Sequence, residues 1–448
     1  MTLADTPVPL EVRDLRGRSY RVGERPQDLI GCSRAWMLAF AWVAMAGIGV
    51  LQYGYGVALT ALHVTSGKSL AGALWVLALW VVFQAGAAAP TAVLSQRFAL
   101  TPARAVPIGA ALCAAGPLTL GHTDNLLLAV LGYSALSGIG AGIVYATCTA
   151  TVAKWYPEKR ASRVGFVSGA IGWGAVPFVA AFAVVLTPDS RTGIFTAVGV
   201  IILVVVAQCG ALLQDPPAGW WPSEIDPRQW AMDKNLNRGL RNNVTALRPY
   251  SPREAIRTPA FLVMYLILVV AAAASLLAAV YIPIVAISHG FSLAVAALAV
   301  GLLAVVNGAG RSMAGRLSDL FGRRQILTAT LLVEGCAQLG LVYSASIAEP
   351  AAFVVFAALC GLAGGAFYPL VASLVADYFG EPSASRNFGL VYSAKMFGGI
   401  IGVGLPALLV TSQHLMIPFL VAGLLSLGAA VMTRMLHRPG LPTVCLPR

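Results

Sequence analysis

The chain has 448 residues, of which 58% are hydrophobic and only 11% are charged, and its formal net charge is +12. Charged residues make up about 25% of an ordinary soluble domain, so this composition excludes a soluble globular protein. Apolar stretches of about 20 residues, the length that crosses a bilayer as a helix, recur along the chain instead. The seven cysteines are scattered without metal-ligand spacing, so we expect no metal site.

Hydropathy predicts an all-α membrane protein with twelve transmembrane helices. The predicted helices are 35–60, 70–95, 104–122, 125–152, 164–187, 192–213, 259–285, 291–315, 325–346, 350–377, 387–411 and 415–436. Residues 214–258 are rich in Pro, Asn and Arg, and are predicted to be a polar linker between two bundles of six helices, 35–213 and 259–437. Residues 1–34 and 438–448 are predicted to be polar terminal segments.

Lysine and arginine are distributed unevenly over the predicted loops. Outside the helices, almost all of them lie in the terminal segments, the linker and the loops after even-numbered helices, whereas the opposite loops hold only Lys68 and Arg191. By the positive-inside rule, both termini and the linker are then cytoplasmic. The basic balance therefore indicates the topology of a multi-pass protein of the cytoplasmic (inner) membrane, and we expect no nucleic-acid partner.

An internal repeat relates the two halves of the chain. Residues 151–163 (TVAKWYPEKRASR) align with residues 374–386 (LVADYFGEPSASR), about half the chain away. Two halves that are repeated in the same sense, with six helices each, are a known plan of secondary transporters. In that plan the substrate binds near the middle of the membrane, between the halves.

Two cations lie inside predicted helices. Arg311 shares a helix face with Asn307, four residues earlier, and Lys395 lies nine residues after Arg386, about 13 Å along its helix. Both cations thus reach a similar depth in a hydrocarbon core about 30 Å thick. A charge in apolar surroundings needs a cavity, a partner or a ligand, so Arg311 and Lys395 are predicted to bind an anion. The alternative is that each is a structural charge, paired with Glu334 or with backbone carbonyls.

Short motifs stand at the ends of the predicted helices, inside two of the helices and in the linker. They are GRLSDLFGRR at 315–324, KWYPEKR at 154–160, DPPAGWWP at 215–222, RTP at 257–259, and the pairs Asn307/Arg311 and Tyr392/Lys395. Together they resemble the major facilitator superfamily, and within it the group of oxalate:formate antiporters and monocarboxylate transporters.

The resemblance implies the major facilitator fold and a carboxylate carrier that works by alternating access without a cofactor. In that group, basic residues of the eighth and eleventh helices hold the anion, and Arg311 and Lys395 match those positions. The other matching residues are Gln52 and Tyr53 of the first helix, Gln84 of the second and Tyr145 of the fourth.

Aromatic side chains at a similar depth are candidates for the walls of the site. Tyr145, Trp173 and Tyr392 can donate hydrogen bonds to a carboxylate without adding charge. The alternative for each of them is ordinary helix packing. Gln52 and Tyr53 fall in the outer half of their helix, farther from the middle of the membrane.

Two features of the eighth and tenth helices have two interpretations each. Asn307 could contact the substrate or form a hydrogen bond between helices. Gly361, Gly364 and Gly365 precede Tyr368 in the tenth helix. These glycines could leave a roomier cavity than oxalate requires, or they could permit close packing of helices.

Charged residues outside the cation pair have other predicted roles. Asp319, with Arg323 and Arg324, could form a cytoplasmic charge latch that gates the outward-facing state, or these residues could act only as topology determinants. Glu334 is the acid placed deep in a predicted helix. It could carry a coupling proton or pair with a cation, but a protonated or locally hydrogen-bonded glutamate is the simpler interpretation.

The sequence therefore predicts a secondary active transporter of small organic anions, mono- or dicarboxylates, rather than an enzyme. Coupling would be exchange with a second anion or symport with protons, and the absence of a Walker A motif argues against ATP-driven transport. One alternative is a proton-coupled exporter of drug-like or amphipathic compounds, suggested by the glycine-rich segment Gly169–Pro177. Another is a receptor that binds an anion without moving it.

Overall fold

The computed structural model describes residues 10–14, 19–66, 70–243, 245–380, 383–409 and 414–440, with side chains at all of these positions except 60–66, 183 and 293. The end of the predicted eleventh helix and parts of the predicted terminal segments 1–34 and 438–448 lie outside these residues, as does Lys68.

The described residues contain twelve helices that are long and apolar enough to cross a membrane, which confirms the predicted all-α membrane fold. The helices are α1 (Arg34–Ser66), α2 (Leu70–Arg97), α3 (Pro102–His122), α4 (Leu126–Trp155), α5 (Arg160–Val185), α6 (Arg191–Ala211), α7 (Pro259–Ser288), α8 (Leu293–Phe321), α9 (Arg323–Ser346), α10 (Pro350–Phe379), α11 (Ala384–Leu409) and α12 (Met416–Met432). Within α4 and α11, the stretches Val130–Ser137 and Ile400–Gly404 are π-helical.

Capping residues explain where several of these helices begin. The side chain of Asn125 accepts from the first backbone amides of α4, and those of Thr258 and Ser292 do the same for α7 and α8. Pro259 follows Thr258 as the first residue of α7, where a missing N–H costs nothing. Gly322, at φ +96°, ends α8 and lets the chain turn directly into α9.

Helices α5 and α8 join the first six helices to the last six through backbone contacts at glycines. A Cβ added at Gly169 would lie 2.6 Å from the carbonyl oxygen of Gly308, and one added at Gly165 would meet the carbonyl oxygen of Arg311. Small residues allow this approach because no side chain separates the two backbones. The backbone that carries Arg311 is therefore fixed against α5.

Helix α8 packs as closely on its other side, against α10. A Cβ at Gly361 would meet the carbonyl oxygen of Leu303, and one at Gly365 would meet that of Asn307. Gly364 faces a side chain of α7 in the same way. Of the two interpretations of these glycines, the structure shows close packing of helices.

A small sheet, which the hydropathy pattern did not predict, links the N-terminal segment to the linker. Strands β1 (Leu10–Arg13) and β2 (Ser19–Val22) are antiparallel, with Leu10 opposite Val22. Strand β3 (Trp220–Trp221) pairs with β2 in parallel. The aromatic residues of the linker motif thus hold the N-terminal segment.

The rest of the linker crosses one end of the helix bundle. Its short helices are Pro227–Met232, Gly239–Asn242 and Pro252–Ile256, and another short helix, Pro26–Ile30, precedes α1. The side chain of Asn243 donates to the carbonyl of Ser318 at 3.1 Å and accepts from the backbone N–H of Arg323 at 2.7 Å. We call this end, where the linker meets the α4–α5 turn and the α8–α9 turn, the basic end.

Candidate functional site

Arg311 lies in the interior of the helix bundle, where its side chain contacts neutral groups. The residue is only 3% exposed. Its Nε donates to the Oδ1 of Asn307 at 3.2 Å, and one Nη donates to the carbonyl of Ser168 on α5 at 3.3 Å. Spacing of four residues places Asn307 one helical turn away on the same face, as the sequence predicted.

Asn307 also connects Arg311 to the first helix. The hydroxyl of Tyr53 on α1 donates to the same Oδ1 atom at 3.0 Å. One amide oxygen thus accepts from a guanidinium and from a phenol of the other half of the bundle. Asn307 therefore forms the contact between helices that was one of its two interpretations, and it does so directly beside the cation.

Lys395 lies equally deep, on α11, and is 2% exposed. Its Nζ donates to the Oε1 of Gln84 on α2 at 2.9 Å and to the Oε1 of Gln52 on α1 at 3.1 Å. The amide of Gln84 also donates to the hydroxyl of Tyr392 at 3.2 Å. The ammonium group of Lys395, in the last six helices, thus donates hydrogen bonds to two glutamine oxygens of the first six helices.

The two cations converge on one aromatic ring that the sequence analysis did not select. The guanidinium carbon of Arg311 is 5.0 Å from the ring centre of Tyr368, and the Nζ of Lys395 is 5.5 Å from it. Cations at this distance are attracted by the ring face. A tyrosine directly before Pro369 in a glycine-rich helix was the available sequence signal, but helix geometry alone does not show which way it points.

Further rings complete an aromatic cluster around Tyr392. Tyr145 on α4 stacks on Tyr392 with ring centres 5.1 Å apart and an angle of 13°. Tyr368 and Phe388 contact the same ring at 5.7 Å and 5.5 Å. The Tyr145–Tyr392 stack joins α4 to α11, so it is another contact between the two sets of six helices. We call these four residues the aromatic cluster.

The described residues contain no acid that is ion-paired with either cation. Arg311 and Lys395 have hydrogen bonds to amide and carbonyl oxygens, and neither belongs to a salt bridge. Two buried positive charges near one ring repel each other, and burial makes each of them costly. The site is therefore electrostatically suited to a small anion.

Trp173 is placed away from this cluster, unlike the other predicted wall residues. Its indole N–H donates to the carbonyl of Val305 at 2.9 Å, and its ring packs beside Trp42 and Phe166. Trp173 faces the contact between α5 and α8, a direction that helical spacing alone does not give. Its donor is consequently used in helix packing.

Glu334 is fully buried on α9 and contacts a neutral neighbour. The amide of Gln338, one turn later, donates to Glu334 Oε1 and to the carbonyl of Ala274, each at 2.9 Å. No salt bridge in the described part of the chain includes Glu334. The predicted alternative, in which Glu334 pairs with Arg311 or Lys395, is therefore not observed in this conformation.

The family model of the Major Facilitator Superfamily matches residues 38–349 and 267–444, which together cover almost the whole chain. The chain belongs to the major facilitator superfamily. It is thus a transporter, and its relatives are transporters rather than enzymes.

The transporter has distant relatives whose names include their substrates. It is 27% identical over 416 residues to the oxalate:formate antiporter of Oxalobacter formigenes, an alignment that covers 92% of this chain and 93% of that protein. It is 25% identical over 375 residues to monocarboxylate transporter 11 of Mus musculus, covering 82% of this chain and 79% of that one.

Solved structures support the fold of the transporter. The xylose transporter XylE from E. coli, in a partially occluded inward-open conformation, superposes with a TM-score of 0.68 at 15% identity. The superposition covers 92% of this chain and 99% of XylE. At such low identity, the likeness concerns the fold alone.

A cavity of about 210 Å³ runs between α4 and the α10–α11 region of the transporter. Its lining reaches from Lys154 and Asp215 at the basic end to Tyr145 and Phe388 of the aromatic cluster. Both of these rings contact Tyr392, which in turn lies 5.8 Å from the Nζ of Lys395. We call this cavity the vestibule, and the aromatic cluster lies between it and Lys395.

The predicted latch residues lie at the basic end, but their pairing differs from the prediction. Arg323 forms salt bridges with Asp377 of α10 and, at 3.4 Å, with Asp319. Arg324 is exposed and belongs to no salt bridge of the described residues. Asp377 was missed, although it lies in the internal repeat, at the position that Lys154 occupies in the first half.

Proposed function

We propose that this transporter moves small organic anions, mono- or dicarboxylates, which bind between Arg311 and Lys395. The observation that carries the proposal is the convergence of these two buried cations, from different helices, on the ring of Tyr368 without an acid beside them. The guanidinium offers a planar fork that fits a carboxylate, and the ammonium supplies a second positive charge.

The neutral partners of the cations fit this role because they can be exchanged for substrate oxygens. Gln52, Gln84 and Asn307 supply the amide oxygens that solvate the cations in this conformation. A carboxylate is a stronger acceptor for both cations than an amide oxygen, so it would displace them. The hydroxyls of Tyr53 and Tyr392 would then be free to donate to the bound anion.

The same contacts would couple substrate binding to alternating access. Tyr53 to Asn307, Lys395 to the two glutamines and Tyr145 on Tyr392 all join the first six helices to the last six. An anion that replaces these contacts weakens the attachment of one set of helices to the other. Substrate binding would thereby be coupled to the movement that exposes the site.

The names of the relatives point to the same substrate class. The oxalate:formate antiporter and monocarboxylate transporter 11 are named for carboxylate cargo, and the first aligns with nearly the whole chain. A substrate class carried over from proteins 25–27% identical is an inference, so it needs a direct test.

We further propose that the basic end faces the cytoplasm, with both termini on that side of the cell membrane. The concentration of lysine and arginine at this end supports the orientation. The vestibule would then lead from the cytoplasm to the aromatic cluster. The bridges of Arg323 to Asp319 and Asp377 would stabilise this end, and exposed Arg324 would act as a topology determinant.

The coupling of transport stays open between anion exchange and proton symport. Glu334 is the candidate proton carrier, although its nearest partner is Gln338 and not a residue of the cation pair. Uptake that requires a counter-anion inside the vesicle, and no proton gradient, would indicate exchange. Uptake that requires an inward proton gradient and is lost in Glu334→Gln would indicate symport.

The glycine-rich segment that suggested a drug exporter has a different explanation in the structure. Gly169 and Gly172 of the glycine-rich segment allow α5 to approach the backbone of α8 at Gly308 and Ala304. Gly174 packs against Ala46 of α1 in the same way. Helix packing thus explains these glycines without a role in exporting amphipathic compounds.

Uptake of labelled oxalate, formate and lactate into proteoliposomes tests the proposal. Arg311→Ala and Lys395→Ala should each abolish uptake of the anion that the parent protein transports. Exposed cations supply matched controls, and Arg104→Ala and Lys234→Ala should retain the parental rate. Parental transport by both central variants would refute the assignment of the site.

Binding measurements separate the transporter from a receptor that binds an anion without moving it. Saturable binding of a carboxylate together with accumulation or counterflow supports transport. Binding that depends on Arg311 and Lys395 but gives neither would support the receptor instead.

A further inference from the structure

A second cavity lies at the basic end, where three parts of the chain meet. Its volume is about 530 Å³, within the range of small-molecule sites. Its walls are the α4–α5 turn with the first residues of α5 (157–163), linker residues within 230–231 and 236–245, and the adjoining ends of α8, α9 and α10. We call it the linker cavity.

Its lining is strongly basic. The cations that line it are Lys159, Arg160, Arg163, Arg238, Arg316 and Arg323, and the acids are Glu158, Asp319 and Asp377. These cations come from all three walls, so their charges surround the cavity instead of lining one side of it.

The three acids do not neutralise most of these cations. Glu158 pairs with Arg34, which is outside the lining, at 3.1 Å. Asp319 and Asp377 both pair with Arg323. Two of the three acids thus share one cation, Arg323, as a salt-bridge partner.

Four other cations of the lining have no salt bridge within the described ranges. They are Lys159, Arg163, Arg238 and Arg316. Arg163 lies over the ring of Tyr156, and Arg316 donates to the hydroxyl of Ser162 at 3.3 Å. Lys159, Arg238 and Arg316 are exposed, so a solute can reach them.

The size and spread of the charges decide the class of ligand. A small carboxylate reaches one or two cations, whereas an anion with several phosphate groups can contact cations of all three walls at once. Guanidinium groups match phosphate oxygens in paired hydrogen bonds, and Lys159 adds a point charge. The buried Nε of Arg323 has no acceptor in the described structure, which leaves one more donor in the lining.

We propose that the linker cavity binds a phosphate-bearing polyanion, supplied either by a soluble polyphosphate or by the headgroups of anionic lipids. Its occupant contacts the α4–α5 turn and the start of α5, the linker and the end of α8. It therefore holds the basic end in the arrangement that this structure shows.

Calorimetric titration of the full-length protein with inorganic tripolyphosphate tests the soluble source. The protein is placed in phosphatidylcholine nanodiscs at constant ionic strength. We expect saturable binding that weakens at least about tenfold in the double variant Lys159→Gln/Arg238→Gln, which removes two charge-assisted contacts. The control Arg104→Gln/Lys234→Gln lowers the net charge equally outside the cavity and should bind like the parent.

Nanodiscs of phosphatidylglycerol test the lipid source, without added tripolyphosphate. A rise in melting temperature over phosphatidylcholine that the cavity variant loses and the control keeps assigns the site to lipid phosphates. If neither tripolyphosphate nor phosphatidylglycerol distinguishes the cavity variant from the control, the proposal is wrong. Since both altered residues are exposed, the single variants Lys159→Gln and Arg238→Gln provide a check against misfolding.

The central cation pair must be shown to play no part in this binding. The titration is therefore repeated with Arg311→Ala/Lys395→Ala. Unchanged binding of tripolyphosphate would show that the linker cavity binds it independently of the transport site. This result would hold even if transport assays refute the proposed carboxylate substrates. Loss of binding in this variant would place the polyanion at the central site and overturn the proposal.

Discussion

Arg311 and Arg323 belong to successive helices, α8 and α9, but their partners are opposite in kind. Arg323, near the surface, has two carboxylates beside it. Arg311, in the interior, has an amide oxygen, a carbonyl and a tyrosine ring. The more deeply buried arginine is the one whose charge is uncompensated, which is the reverse of what stability alone requires.

This difference separates charges that stabilise the fold from the charges that we propose to bind a ligand. Asp377 and Lys154 are aligned in the internal repeat and have charges of opposite sign. Asp377 forms a salt bridge with Arg323, and Lys154 forms one with Asp215 of the linker. The repeat thus preserves a structural ion pair at the basic end of each half. No comparable pair is present at the depth of Arg311 and Lys395 in the described chain.

The largest expected effect comes from giving Arg311 the kind of partner that Arg323 has. In Asn307→Asp, a carboxylate replaces the amide oxygen 3.2 Å from Arg311 and competes with the substrate anion. We expect affinity for the carboxylate to fall at least about 30-fold at neutral pH, roughly 2 kcal/mol or more. Protonation of the new carboxyl in acid removes its charge, so affinity should recover as the pH falls. Concentration-dependent uptake at both pH values measures this.

The reverse change supplies the control for that variant. Asp377→Asn removes an acid from Arg323 and should leave substrate affinity unchanged. Equal affinity of Asn307→Asp and the parent at neutral pH would show that Arg311 does not bind the anion.

The next effect concerns the neutral acceptors of Lys395. Gln84→Leu keeps the volume of the side chain but removes the 2.9 Å acceptor of the ammonium and a partner of Tyr392. Hydrogen bonds to charged groups contribute about 1.5–3 kcal/mol, so we expect transport to fall about tenfold or more. Initial rates at fixed substrate concentration test this.

Gln338→Leu is the matched control, since Gln338 is a buried glutamine that serves Glu334 instead of a cation. It should transport with the parental affinity even if its stability is lower. Equal losses in both variants would indicate general disruption of packing and not a role for Gln84 beside Lys395.

A smaller effect, on stability and not on affinity, is expected at the basic end. Arg323→Gln leaves the carboxylates of Asp319 and Asp377 without their cation. Stability should fall by about 1–3 kcal/mol, while affinity for the anion stays within about twofold of the parent. Thermal unfolding in detergent and substrate binding measure the two quantities. Arg324→Gln, at an exposed residue without a salt bridge, should change neither.

The smallest effect concerns an exposed charge of the linker. The backbone N–H of Ser251 and the guanidinium of Arg248 lower the pKa of Glu254 to about 2. Because this pKa is lower in the folded chain than the usual value of about 4.3, the charged cap is fully stabilising above about 4.3 and is lost as the pH falls through about 2. Amide exchange of residues 251–258, corrected for its intrinsic rates, should show that Glu254→Gln loosens the segment at neutral pH but not below about 2. A difference independent of pH would contradict this.

Much of this architecture follows from local pattern. Long apolar runs predicted the twelve helices, because a backbone in lipid must satisfy its own hydrogen bonds and the helix does so within one segment. Spacing predicted that Asn307 and Arg311 share a face, which the 3.2 Å hydrogen bond shows. Residues that match the family motif, such as Gln84, also proved to contact Lys395.

Tertiary structure alone decided the direction in which side chains at the right depth point. Tyr368 faces both cations and Trp173 faces a neighbouring backbone, although the sequence favoured the second and passed over the first. Helical periodicity gives the depth of a residue and its angle on its own helix. How each helix is rotated in the bundle depends on backbone contacts at glycines such as Gly165 and Gly365, and these contacts join residues far apart in the chain.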